Sequence, residues 1–109
     1  MKKLADRVAD ILQEVTTLCS DADVAHKELA ARFDTERRKL ASASNNCLRQ
    51  AFDLDSAVYR RAAEACRLAE NEVETTRLQI IASNRRLEEL ALICGSLTTT
   101  GNLLKKQQK

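Results

Sequence analysis

From Leu4 to Leu29 the apolar and alanine positions fall at Leu4, Val8, Ile11, Val15, Leu18, Ala22, Ala25 and Leu29, in alternating steps of four and three residues. That rhythm keeps one stripe aligned along a helix and is what packing against a second helix requires. The stripe continues through Phe33, Leu40, Ser44, Cys47, Ala51, Leu54 and Val58, then Ala62, Ala65 and Ala69. It resumes at Val73, Thr76, Ile80, Ser83, Leu87, Leu90, Cys94 and Leu97. Consecutive four-residue steps at 25-29-33, 54-58-62 and 65-69-73 are stutters that locally unwind a left-handed supercoil, so a perfectly regular two-stranded rope is not expected. Strand-type alternation is absent, and the pattern predicts an all-α, elongated coiled coil.

Ala41 to Asn46 is the weakest helical stretch before Gly95, because Ser and Asn side chains compete for backbone hydrogen bonds. The favoured architecture is therefore an antiparallel helical hairpin reversing near residues 42–46, with arms over 3–42 and 46–94. Facing positions then add to about 88, pairing Val8 with Ile80, Val15 with Val73, Leu29 with Val58 or Tyr59, and Leu40 with Leu48. Ala22 and Ala25 fall opposite Ala62, Ala63 and Cys66, small against small. A continuous long helix in a parallel dimeric coiled coil also sets Ala22 against Ala22, and a compact three-helix bundle is a further arrangement.

In the hairpin so drawn the second arm outruns the first. Leu87, Leu90, Ile93, Cys94 and Leu97 keep an apolar face going without a partner in their own chain, and so are expected to form a protein interface. Gly95 suits a helix C′ position, and residues 95–109 read as a helix break followed by a basic tail.

Composition agrees with this picture. The chain has no proline and two glycines, Gly95 and Gly101, so residues 1–94 carry neither strong helix breaker. Aromatic residues make up 3% and charged residues 31% of the chain, which suits a thin seam better than a thick globular core. A net charge of +2 gives no global field to attract nucleic acid. No apolar run approaches the ~20 residues of a membrane span, and no signal-peptide core follows Lys2 and Lys3. Asp6, Asp10 and Glu14 on the polar side of the first turns would be repelled by an anionic membrane. A soluble, intracellular, cytoplasmic or cytoskeletal chain is expected, without a membrane partner.

Chemistry-bearing constellations are sparse. Cys19, Cys47, Cys66 and Cys94 lie 28, 19 and 28 residues apart, without a C-x-x-C, and His26 is the sole histidine. Zinc needs closer ligands, so no metal or other cofactor is expected and the cysteines read as small seam residues with free thiols. The near-mirror spacing brings Cys19 close to Cys66 in the hairpin. Asp53 with Asp55, and Glu88 with Glu89, occupy neighbouring helical positions pointing into solvent, and His26 lacks an accompanying oxyanion-forming loop. No enzymatic activity and no small-molecule substrate are expected.

One charge pattern supports an alternative. Lys27, Arg38, Arg49 and Arg60 recur every 11 residues, about three turns, and on an uninterrupted helix would share one face with Arg67. Such a track suits an acidic polymer such as microtubules or nucleic acid. The leading expectation is a non-enzymatic coiled-coil scaffold or assembly subunit. It would oligomerise and hold other coiled-coil proteins in a cytoskeletal, kinetochore-like or trafficking complex.

Overall fold

A computed structural model describes residues 3–107. They form two helices, α1 (Leu4–Arg49) and α2 (Ala57–Gln107), which run antiparallel as an all-α hairpin. With proline absent throughout, nothing removes a donor from either backbone ladder.

The reversal lies at residues 50–56, not 42–46. Ser42 to Asn46 stay helical, because their weak propensity amounts to tenths of a kcal/mol per residue and is outweighed by seating Ala43 and Cys47 in the seam. The turn is built where side chains close it. Ala51 N–H donates to the Leu48 carbonyl at 3.2 Å and Ser56 N–H to the Asp53 carbonyl at 3.2 Å. The Asp53 carboxylate accepts from Asp55 N–H at 3.1 Å, an Asx-type turn. Ser56 Oγ accepts from Tyr59 N–H at 3.0 Å and so caps α2, and Arg60 donates to the Asp55 carbonyl at 2.6 Å.

Two compact units divide the hairpin. The turn unit comprises residues Lys27–Ile81, and the terminal unit joins Met1–His26 to Ala82–Lys109. In the terminal unit, His26 Nδ1 lies 2.9 Å from Ser83 Oγ, and a β-carbon on Gly101 would sit 3.9 Å from Val8 Cγ1. Both pairs carry numbers that add to 109. Stepping by heptads gives the layers Ala5/Leu104, Val8/Gly101, Leu12/Leu97, Val15/Cys94, Cys19/Leu90, Ala22/Leu87 and His26/Ser83. The turn unit follows the same arithmetic, from Leu29/Ile80 through Phe33/Thr76, Glu36/Val73, Leu40/Ala69, Ala43/Cys66 and Cys47/Ala62 to Gln50/Tyr59. Every residue in these layers is buried or half-buried; outside them, among the described residues, only Ser44, Ser56 and Ala63 escape full exposure.

This register revises the expected pairings. Moving the turn by about ten residues replaces Val8/Ile80 and Val15/Val73 with Val8/Gly101 and Val15/Cys94. Ala22 faces Leu87 in place of the small residues of α2. Along α1 the seam keeps Val8, Val15, Ala22 and Leu29 but takes Ala5, Leu12, Cys19 and His26 instead of Leu4, Ile11, Leu18 and Ala25. The stutter at 25-29-33 thereby disappears. Along α2, the positions from Val73 to Leu97 are those the sequence pattern marks.

The helix break at residues 95–109 is also corrected: α2 continues to Gln107, and the last two residues of the expected tail, Gln108 and Lys109, lie outside the described residues. A mid-helix glycine costs about 1 kcal/mol, which seam contacts from Leu97, Gly101 and Leu104 offset. Thr98, Thr99 and Thr100 donate their hydroxyls to the carbonyls of Cys94, Gly95 and Ser96 at 2.8, 3.0 and 3.0 Å, so they decorate the helix rather than end it.

Candidate interaction surfaces

The core is thin. Among the described residues only Ala62, Leu90 and Thr76 are buried, and many large apolar side chains stand exposed outside the seam. The expected interface residues are mostly not among them. Leu90 is 6% exposed, and Leu87, Cys94 and Leu97 are half-buried in layers with Ala22, Val15 and Leu12. The first arm reaches them because the turn lies farther along the chain than expected, and the overhang is covered by its own hairpin. Ile93 alone of the five points outward, at 47%.

Ile93 belongs instead to a flank that sequence reasoning misplaced. Leu4, Ile11 and Leu18 are 60%, 47% and 45% exposed. They recur every seven residues, each immediately before a seam residue, and the register sets Ile93 across from Leu18 on the same side. The terminal part of α1 thus carries three apolar positions per heptad: Leu4/Ala5/Val8, Ile11/Leu12/Val15 and Leu18/Cys19/Ala22. A two-stranded seam uses two positions per heptad, whereas a third belongs to a helix packed against more than one neighbour. That doubling was readable in the sequence.

A second apolar group lies at the turn, where Leu48, Phe52, Leu54 and Val58 are all exposed. Away from the turn, the positions next to the turn unit's seam on this side are polar, while Leu68, Leu78 and Ile81 stand exposed elsewhere on α2. The positions equivalent to Leu4, Ile11 and Leu18 are occupied by Arg32, Lys39 and Asn46 on α1, with Glu72 and Gln79 across on α2. Arg37 places its guanidinium 5.7 Å from the centre of the Phe33 ring, covering that seam residue. Inside this unit Thr76 Oγ1 donates to Glu36 Oε2 at 2.6 Å, a charge-assisted bond.

The turn breaks the basic track. Lys27, Arg38 and Arg49 lie on α1, and Arg60 and Arg67 on the antiparallel α2, so the uninterrupted helix that would align them does not exist. Arg38 pairs with Asp34 at 2.9 Å, Arg60 is engaged at the turn, and Arg67 Nε donates to Glu64 at 3.0 Å. Hydrogen bonding to Arg67 holds the Glu64 carboxyl below the usual carboxylate range, as Arg77 does for Glu74.

The cysteines are free thiols. Cys19 meets Cys94, Sγ to Sγ at 3.4 Å, and not Cys66, whose thiol instead lies 3.7 Å from Ser44 Oγ. The hydrogen bond with Cys94 is the main cause that raises the Cys19 thiol above its ordinary value. His26, expected on a flank, is a seam residue bonded to Ser83. Among the described residues no His, Cys, Asp or Glu side chains cluster to hold a metal ion, and no helix is long and apolar enough to cross a membrane. No family model matches this chain, and no curated protein or solved structure is significantly similar to it.

Proposed function

We propose that the chain is a non-enzymatic assembly subunit. It oligomerises through the apolar flank of its terminal unit and holds other coiled-coil proteins in a scaffold. The observation that carries this reading is the heptad-spaced, exposed row Leu4, Ile11 and Leu18, joined by Ile93, beside a seam already satisfied within the chain. Burying a Leu or Ile side chain is worth roughly 1.5–3 kcal/mol, so covering this row with another helix supplies the driving force that the thin internal seam lacks. The apolar turn residues Leu48, Phe52, Leu54 and Val58 offer a second attachment point, as a chain that links partners needs.

The test is the solution mass of the full chain and of an Ile11→Ser, Leu18→Ser, Ile93→Ser variant. The wild type is expected above monomer mass in light scattering, and the variant at monomer mass with its helical circular dichroism retained. A monomeric wild type, or a variant that assembles as well as the wild type, overturns the reading.

A further inference from the structure

The four cysteines all lie in the seam, and their spacing acquires a meaning in the observed register. Cys19 and Cys94 carry numbers that add to 113, and so do Cys47 and Cys66. Each pair therefore lies diagonally between adjacent layers, and 28 residues, four heptads, separate Cys19 from Cys47 on α1 and Cys66 from Cys94 on α2. Each unit holds one such pair. They differ in detail. The Cys66 thiol is drawn to Ser44 Oγ at 3.7 Å and Glu70 Oε1 at 3.9 Å, whereas Cys19 and Cys94 point at each other across 3.4 Å.

We infer that Cys19 and Cys94 form a dithiol modification site, closed to a disulfide by thiol–disulfide exchange with a small-molecule disulfide of the glutathione class. One thiol loses its proton and its thiolate attacks the small disulfide. A mixed disulfide forms and one small thiolate leaves. The second cysteine, deprotonated in turn, attacks the protein sulfur of the mixed disulfide and expels the other small thiolate. The protein pair is oxidised by two electrons, the small disulfide is reduced to two thiols, and the two cysteine protons end on those thiols. The sulfurs must close by about 1.4 Å to reach the bond length of about 2.05 Å, a movement within reach of side-chain rotation. Because the hydrogen bond favours the protonated thiol, exchange accelerates at alkaline pH, where more thiolate is present. The closed bond ties α1 to α2 within the terminal unit, next to the apolar flank.

The experiment incubates the reduced full chain with excess oxidised glutathione at mildly alkaline pH. Remaining thiols are then alkylated, and the products are read by intact mass and tryptic peptides. The expected product is a chain without intermolecular disulfides and with two of its four thiols lost, lighter by about two mass units before alkylation. One cross-link should join the peptide Val8–Lys27 to the peptide Leu87–Lys105. Oxidation should raise the urea midpoint of the wild type and leave that of Cys94→Ser unchanged. The inference is overturned by a Cys19–Cys66 link, by a Cys47–Cys66 link that forms first, by stable glutathione adducts on Cys19, or by a Cys19–Cys94 link forming no faster than in the guanidinium-unfolded chain.

Discussion

Each unit of the hairpin builds a seam of seven layers, and the two flank it differently. In the turn unit the seam is flanked by Arg32, Lys39, Glu72 and Gln79 and contains the Thr76–Glu36 bond. In the terminal unit the corresponding flank is Leu4, Ile11, Leu18 and Ile93, while the seam is seated by small or apolar groups and one His26–Ser83 bond. Charged flanks keep a two-helix seam soluble and selective for its own partner strand. An apolar flank leaves side chains of the same architecture exposed to water. Two stretches with equivalent heptads therefore differ in what lies beside the seam, and the proposed assembly rests on the apolar one.

The comparison predicts that the largest loss follows a charge in the terminal seam. Leu90→Asp should cost more than about 3 kcal/mol, because it buries a carboxylate opposite Cys19 without a donor. Circular dichroism and urea titration should show unfolding that begins outside residues 27–81. A stable hairpin that merely fails to assemble would mean that Leu90 faces a partner instead of α1.

In the turn unit Thr76→Val should cost about 1–3 kcal/mol, since it removes the hydroxyl that satisfies the half-buried Glu36 carboxylate. The double variant Glu36→Leu, Thr76→Val should recover most of that loss, because both polar partners go together. Urea midpoints check both; an additive double-variant loss would show that the two residues are not coupled.

Removing the cap with Ser56→Ala should cost about 1 kcal/mol, and should raise amide exchange first at Tyr59 and Arg60. At the small end, Gly95→Ala should stabilise the terminal unit by up to about 1 kcal/mol, because no atom lies within 4 Å of the added carbon. Gly101→Ala should gain a comparable amount, since its new methyl meets Val8 at 3.9 Å, an ordinary van der Waals contact. A melting temperature lowered by Gly95→Ala would mean that α2 bends or ends there.

The same contrast explains what was legible in the sequence. Along α2, from Val73 to Leu97, apolar and polar residues alternate sharply enough that the seam could be read off without error. Along the start of α1 three positions per heptad are apolar, so periodicity alone could not say whether Leu4 or Ala5, Ile11 or Leu12, faced the partner strand. Serine and asparagine propensities point to a turn at residues 42–46, whereas the chain reverses where the Asp53 Asx-type turn and the Ser56 cap act through specific hydrogen bonds that propensity does not register. Once the turn moved, the expected interface at Leu87, Leu90, Cys94 and Leu97 became internal. Leu4, Ile11 and Leu18, which the expected seam puts inside, form the exposed flank.

All of these assignments rest on the register in which Val8 faces Gly101 and His26 faces Ser83. Its most direct test is a pulsed electron–electron distance between spin labels at the exposed positions Thr17 and Leu92, whose numbers add to 109, with labelled chain diluted into unlabelled chain. Helices packed at an axial separation of about 8–10 Å, with labels on their outer faces, predict a single distribution within about 25 Å. A distribution centred beyond about 35 Å, as in the hairpin whose facing positions add to about 88, would contradict the register, and with it the seam, the flank and the cysteine pair.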